Sequence, residues 1–213
     1  MILKRVSDLV AYYEDGIKLV GLKQEEINKV KEDLTFKNPA YVRTQRYSRY
    51  NSTNVPPYLN YYKEGRDFIE VPVGYNVPFP VGQRIDSRVI NEVEVPPFIL
   101  ELRDDQKEAA ESYLDMNKRA DLKGSIQMPT GKGKSILGLY LASKFATKTL
   151  IVVHKDDLVT GWNKDIKLAF NNKVKSGLIK AKSRKVGNFI TVATIQTLNR
   201  LSEEELRELF NQF

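Results

Sequence analysis

The chain contains no cysteine and a single histidine, His154, in 213 residues. Without cysteine there can be no disulfide and no thiolate-ligated zinc. One histidine argues against a histidine-built metal centre and against a Ser/His/Asp triad. No apolar run approaches the roughly 20 residues that a membrane-spanning helix needs. The opening stretch, MILKRVSDLVAYYEDG, lacks the apolar region of a secretory leader. These absences lead to the expectation of a soluble cytoplasmic protein with no membrane partner, monomeric by default. What is present is globular in balance: 41% hydrophobic and 29% charged residues.

Lys and Arg number 34 against 27 Asp and Glu, a formal charge of +7. The excess is uneven. Residues 1–95 carry 14 basic and 13 acidic side chains, and residues 96–213 carry 20 and 14, so the second part holds +6 of the +7. Most prolines and tyrosines lie in the first part, and Pro96-Pro97 marks the change. The expected organisation is a small α+β domain over 1–95 followed by an α/β domain over 96–213.

In the first part, Leu22–Leu34 has Leu22, Ile27, Val30 and Leu34 at helical spacing. The Tyr-, Asn- and Pro-rich stretch from Phe36 to Tyr62 reads as short strands and loops rather than helix. Phe68–Val73 reads as a strand. Arg43, Arg46 and Arg49 alternate with Tyr41, Tyr47 and Tyr50. Such a mixture suits substrate engagement, with Arg on phosphates and Tyr on bases; the plain alternative is that the tyrosines fill the domain's own core.

The second part alternates in period. Helices are expected over Asp105–Asn117, Ser135–Ala146, Asp157–Phe170 and Glu203–Phe213. Strands are expected over Gly124–Met128, Thr149–Val153 and Phe189–Ala193, the middle one (TLIVV) buried on both faces. Strand and helix in alternation imply a parallel sheet.

Met128-Pro-Thr-Gly-Lys-Gly-Lys-Ser135 is the most informative stretch. It stands between an expected strand and an expected helix, the setting of a phosphate-binding loop. Gly131 and Gly133 let consecutive N–H groups turn towards phosphate oxygens, and the helix start adds its positive dipole end. Lys134 would face the β- and γ-phosphates of ATP, and Ser135 would offer a hydroxyl to Mg²⁺. Pro129, Thr130 and Lys132 complete the loop. The general pattern asks for glycine where Met128 stands.

A loop of the form x-P-T-G-x-G-K-[ST] resembles that of superfamily 2 helicases, and the chain is similar to DEAD/DEAH-box-like enzymes near the excision-repair and phage branch-migration helicases. The resemblance runs over about residues 98–200. It implies a partial P-loop NTPase, RecA-like parallel sheet. It implies further that Arg103 and Gln106, in LRDDQ, contact the adenine; that His154 and Lys155, after TLIVV, touch a nucleic-acid backbone; and that Thr194 and Gln196, in ATIQTL, do the same. DNA is the implied partner, with RNA not set aside. Between those motifs, residues 164–185 carry eight basic side chains and one acid, among them Lys180, Lys182, Arg184 and Lys185. They are expected on phosphates, a solvated face being the plain alternative. A DExH-type box, expected after the Thr194–Leu198 segment, does not occur before Phe213. The implied activity is therefore that of a helicase whose N-terminal portion this is, with little ATP hydrolysis by these residues alone. Two other readings stay open: a P-loop ATPase that does not act on nucleic acid, and a nucleic-acid-binding module with a vestigial loop.

Overall fold

A computed structural model describes residues 8–14, 16–47, 55–87, 92–117 and 124–213. The chain forms two compact units, 1–89 and 90–213.

In the first unit, β1 (Val10–Tyr13) and β2 (Ile17–Val20) form an antiparallel pair. Helix α1 (Gln24–Asp33) follows, then β3 (Thr35–Lys37), α2 (Pro39–Tyr47), β4 (Tyr58–Asn60), β5 (Lys63–Glu64), β6 (Phe68–Val71) and β7 (Gln83–Asp86). One sheet has the order β5-β6-β2-β1-β7, in which only β1 and β7 run parallel. Strands β3 and β4 form a separate antiparallel ribbon. Ala11, Ile17, Leu19, Ile69 and Val71 supply the sheet's buried positions, and Val30 and Leu34 close over them from α1 and its end. Leu22 and Ile27 pack on the same cluster, as their spacing predicts.

Helix α2 corrects the expectation of strands and loops after Phe36. Its start has a local cause. The Asn38 side chain accepts the Ala40 N–H at 3.0 Å, and Pro39 stands at the first helical position, where it has no N–H to leave unpaired. Arg46, Tyr47, Arg49 and Tyr50 of the alternating series lie outside the residues whose side chains are described.

In the second unit, α3 (Asp104–Asn117), α4 (Lys134–Phe145), β8 (Thr149–Val153), α5 (Asp156–Ala169), β9 (Gly177–Lys180), β10 (Ser183–Lys185), β11 (Ile190–Thr194), α6 (Ile195–Leu198) and α7 (Glu203–Phe210) follow in order. The sheet order is β10-β9-β11-β8. β11 runs parallel to both neighbours, and β10 turns back antiparallel on β9. The unit is thus α/β with a largely parallel sheet. Its main core joins Leu139 and Ala142 of α4, Val159 and Ile166 of α5, Phe170, and Ile190 and Val192 of β11. On the other face, Ile179 and Ala193 meet Leu198 and Leu209.

Two strand expectations need correction. Every residue of β11 is buried, whereas β8 is the edge of the sheet and Val152 is 46% exposed. β8 has a hydrogen-bonded neighbour on one edge only, and its cover is uneven, with Val153 buried and Val152 exposed. Gly124–Met128 is not a strand. A strand exists through a neighbour that satisfies its backbone, and the four-stranded sheet does not extend to this segment. Ile126 and Met128 pack instead with Leu102, Ala110, Leu137 and Leu141.

Candidate functional site

Gly131 and Gly133 have φ of 81° and 75°, the left-handed region that favours glycine. Gly133 is the residue before the first turn of α4, so Lys134 and Ser135 are the helix's first two residues. The loop needs glycine at 133 for a second reason. A Cβ there would stand 2.4 Å from Nε2 of Gln106.

Gln106 is 3% exposed, and its amide is spent in two directions. Its Oε1 accepts the Arg103 N–H at 2.9 Å, which caps the start of α3. Its Nε2 donates to the carbonyls of Lys132 and Gly133 at 3.1 and 3.0 Å. Asp105 adds an ion pair from its carboxylate to the Lys132 ammonium at 3.2 Å. The start of α3 therefore grips the glycine loop through two consecutive side chains. Asp105 carries no motif signal and sequence reasoning missed it; its place beside Gln106 is the one available cue.

The Lys134 ammonium donates to the carbonyls of Met128 and Pro129, both at 3.0 Å. It lies across the beginning of its own loop, and its acceptors among the described residues are the neutral carbonyls of half-buried Met128 and exposed Pro129. Ser135 is half-buried, and Pro129, Thr130 and Lys132 are exposed. The side chain of Arg103 is exposed as well, and its backbone rather than its guanidinium engages Gln106. Among the described residues no cluster of three His, Asp or Glu side chains could hold a metal ion.

A second group gathers at the carboxyl ends of the parallel strands, the side of such sheets where ligands collect. His154 and Lys155 follow β8, Thr194 ends β11, and Lys180 ends β9. His154 and Lys155 are exposed. Gln196 donates to the His154 carbonyl at 2.7 Å, which ties the end of β8 to the start of α6. The buried Thr194 hydroxyl donates to Oγ1 of Thr197 at 2.8 Å, and that oxygen accepts the Ala181 N–H at 3.0 Å. Thr194 and Gln196 thus make protein contacts that hold this end together. Thr197, which sequence reasoning passed over, is the link between α6 and the β9–β10 turn.

The basic segment 164–185 does not form one surface. Lys164 and Lys167 are on α5, and Lys173 and Lys175 precede β9, at the amino end of the parallel strands. The Lys180 ammonium pairs with Asp156 at 3.0 Å. The Arg184 guanidinium donates to the carbonyls of Ala181 and Ser183 at 2.6 and 3.0 Å, closing the turn. Lys185 lies opposite Leu178, back towards the start of β9. Of the four residues from 180 to 185 that were expected on phosphates, Lys180 and Lys182 sit with His154 and Lys155.

Comparison with known proteins agrees with the sequence motifs. The family described as "Type III restriction enzyme, res subunit" matches residues 99–213. A DNA 3'-5' translocase of Sulfurisphaera tokodaii is 36% identical over 84 residues, 38% of this chain and 18% of the relative. A candidate ATP-dependent RNA helicase of Acanthamoeba polyphaga mimivirus is 26% identical over 200 residues, 89% of this chain and 35% of the relative. A candidate helicase of Escherichia phage T5 is 28% identical over 116 residues, 54% of this chain and 24% of the relative. The chain spans between about a fifth and a third of the length of these relatives.

Proposed function

Because the chain belongs to the type III restriction enzyme res-subunit family of superfamily 2 helicases, we propose that residues 96–213 form part of a RecA-like P-loop motor that binds Mg-ATP and acts along a nucleic-acid backbone. The observation that carries the reading is the glycine loop itself. Two glycines at positive φ lead into α4, the backbone geometry that lets consecutive N–H groups turn towards a phosphate at a helix's positive end. Lys134 needs only to leave two carbonyl acceptors of its own loop to meet the β- and γ-phosphates, a stronger partner for an ammonium. Ser135 is the residue that would hold Mg²⁺, which supplies charge neutralisation at the phosphates when bound. Gln106 is positioned to couple the base to the loop: an adenine that engages its amide competes with the carbonyls of Lys132 and Gly133.

The carboxyl ends of β8, β9 and β11 are the proposed nucleic-acid face, with His154, Lys155, Lys180 and Lys182 as the contacting side chains. Thr194, Gln196 and Thr197 brace that face. A motor that steps along a strand must ignore base identity, so its contacts go to the repeating phosphates. DNA is the proposed partner, and the named relatives include both a DNA translocase and an RNA helicase candidate.

Calorimetric titration with Mg-ATP tests the reading. The wild-type chain is expected to bind and Lys134→Ala to lose binding, with the fold intact by circular dichroism. Equal affinity of the two proteins, or no binding by either, overturns it.

A further inference from the structure

The first unit carries an aromatic surface that its own core does not use. On the β3–β4 ribbon, Leu34 and Phe36 share a face with Leu59 and Tyr61, because Phe36 lies opposite Leu59 and the Tyr61 N–H reaches the Leu34 carbonyl at 2.9 Å. Leu34, at the inner end of this face, is buried in the core. Two residues further out, Phe36 is 51% exposed, and Tyr61 is 52% exposed. The two rings meet edge to face, with centroids 5.6 Å apart and planes at 71°.

The ribbon is held firmly. The Asn38 N–H donates to the Pro57 carbonyl and its Nδ2 to the Pro56 carbonyl, both at 2.9 Å. A ring pair fixed in this way loses little freedom on binding. The next residue on β3, the exposed Lys37, lies opposite Tyr58 and so belongs to the ribbon's other face. A cleft of about 260 Å³ also opens beside Tyr61, lined by Asn60, Tyr62, Lys63 and Glu70 among others. Lys63 and Glu70 are cross-strand partners on β5 and β6, so a cation and a carboxylate both border the cleft, groups that suit the polar edge of a base.

We infer that Phe36 and Tyr61 form a stacking platform for unpaired bases. The chemistry selects single strands. An aromatic ring binds any base through its π-face, and in a duplex those faces are closed by neighbouring base pairs. The ring faces of DNA and RNA are alike, so the platform itself takes either. This inference rests on the reading of the chain as a nucleic-acid-binding protein and adds the strand state it engages.

The test uses the full chain and a short oligothymidylate carrying one 2-aminopurine, as a single strand, as a duplex and in an RNA version. Wild type is expected to change the 2-aminopurine emission of the single strands. Phe36→Leu with Tyr61→Leu keeps apolar bulk and removes the rings; it should weaken single-strand binding roughly fivefold to a hundredfold. Duplex affinity should be unchanged, and Tyr61→Phe should bind like wild type. Thermal melting followed by circular dichroism verifies that the variants fold. If the leucine pair binds single strands as wild type does while Lys155→Ala weakens binding, the platform is wrong and the motor reading survives. If the wild-type chain binds no nucleic acid, both fall. If sedimentation shows self-association that the leucine pair abolishes, the surface joins two copies of the chain and the inference is overturned.

Discussion

Gln106 ties the start of α3 to the glycine loop through one amide. Its amide oxygen caps α3 and its amide nitrogen holds two loop carbonyls, so both functions need a group that accepts and donates at once. Glutamate preserves the cap and abolishes the donor. Gln106→Glu should therefore free the loop while leaving α3 formed, and should lower stability by about 1–3 kcal/mol, the usual cost of stranding buried partners. Urea denaturation measures the loss, and amide exchange at 131–134 should rise. Gly133→Ala is expected to be worse for the loop, because it meets both a positive φ and the pinned Gln106. Here the motif was readable from residue types and spacing. The commitment of Gln106 to the loop was not, because it depends on α3 packing beside α4, which no local pattern encodes.

At the scale of elements, local signals and partner-dependent ones separate cleanly. Helix α1 follows from its spacing, and α2 from an Asn-Pro start that composition obscured. Helix α1 also has an electrostatic tie. Asp33, at its end, accepts hydrogen bonds from Lys29 and from Tyr75, and these hold its carboxyl below the ordinary aspartate value. The depressed pKa makes this contribution fully present above the unfolded value near 3.8 and lost as pH falls through the lower, folded value. Tyr75→Phe removes one of the two bonds. The variant should lose less stability than wild type as pH falls below about 4, as followed by circular dichroism in urea. A steeper loss in the variant would contradict that sign. Strands show the opposite dependence on context. TLIVV and GSIQM both look like strands in sequence, yet only the first has a neighbour to bond to, and it has one on a single side.

Across the whole molecule, each unit has its own core: one built on β1, β2, β6 and α1, the other on α4, α5 and β11. The single tryptophan, Trp162, packs against the second core, so its fluorescence reports on that unit while circular dichroism reports on both. Phe170→Ala, at a position 0% exposed, should cost about 3–5 kcal/mol and move the fluorescence transition. Ile69→Ala, 1% exposed, should cost about 2–5 kcal/mol, move the dichroism signal and leave the fluorescence midpoint in place. Coincident shifts in both signals would show that the units unfold as one. Charge acts at this scale too. With Lys155, Lys180 and Lys182 at the strand ends, log K against log salt should fall with a slope of roughly −2 on single strands. Removing Lys155 and Lys182 together should flatten it by about 1.4, whereas removing Lys173 and Lys175 should leave it as it was. Filter binding over a salt series distinguishes the pairs.

By itself the sequence determined the glycine loop, the four long helices of the second unit with the strands now seen as β8 and β11, and the motifs that resemble a helicase. Those features are written in residue type and short-range spacing, and glycine conformation, capping and helical periodicity act over only a few residues. Only the tertiary structure decided that β8 is an edge, that Gln106 serves the loop, that Thr194 and Gln196 brace the strand ends, and that the basic segment divides between two ends of the sheet. A strand's partner and a side chain's hydrogen-bond partner are set by residues far away in sequence. A run of eight basic residues therefore looks continuous along the chain and is dispersed once β9 and β10 reverse direction between them.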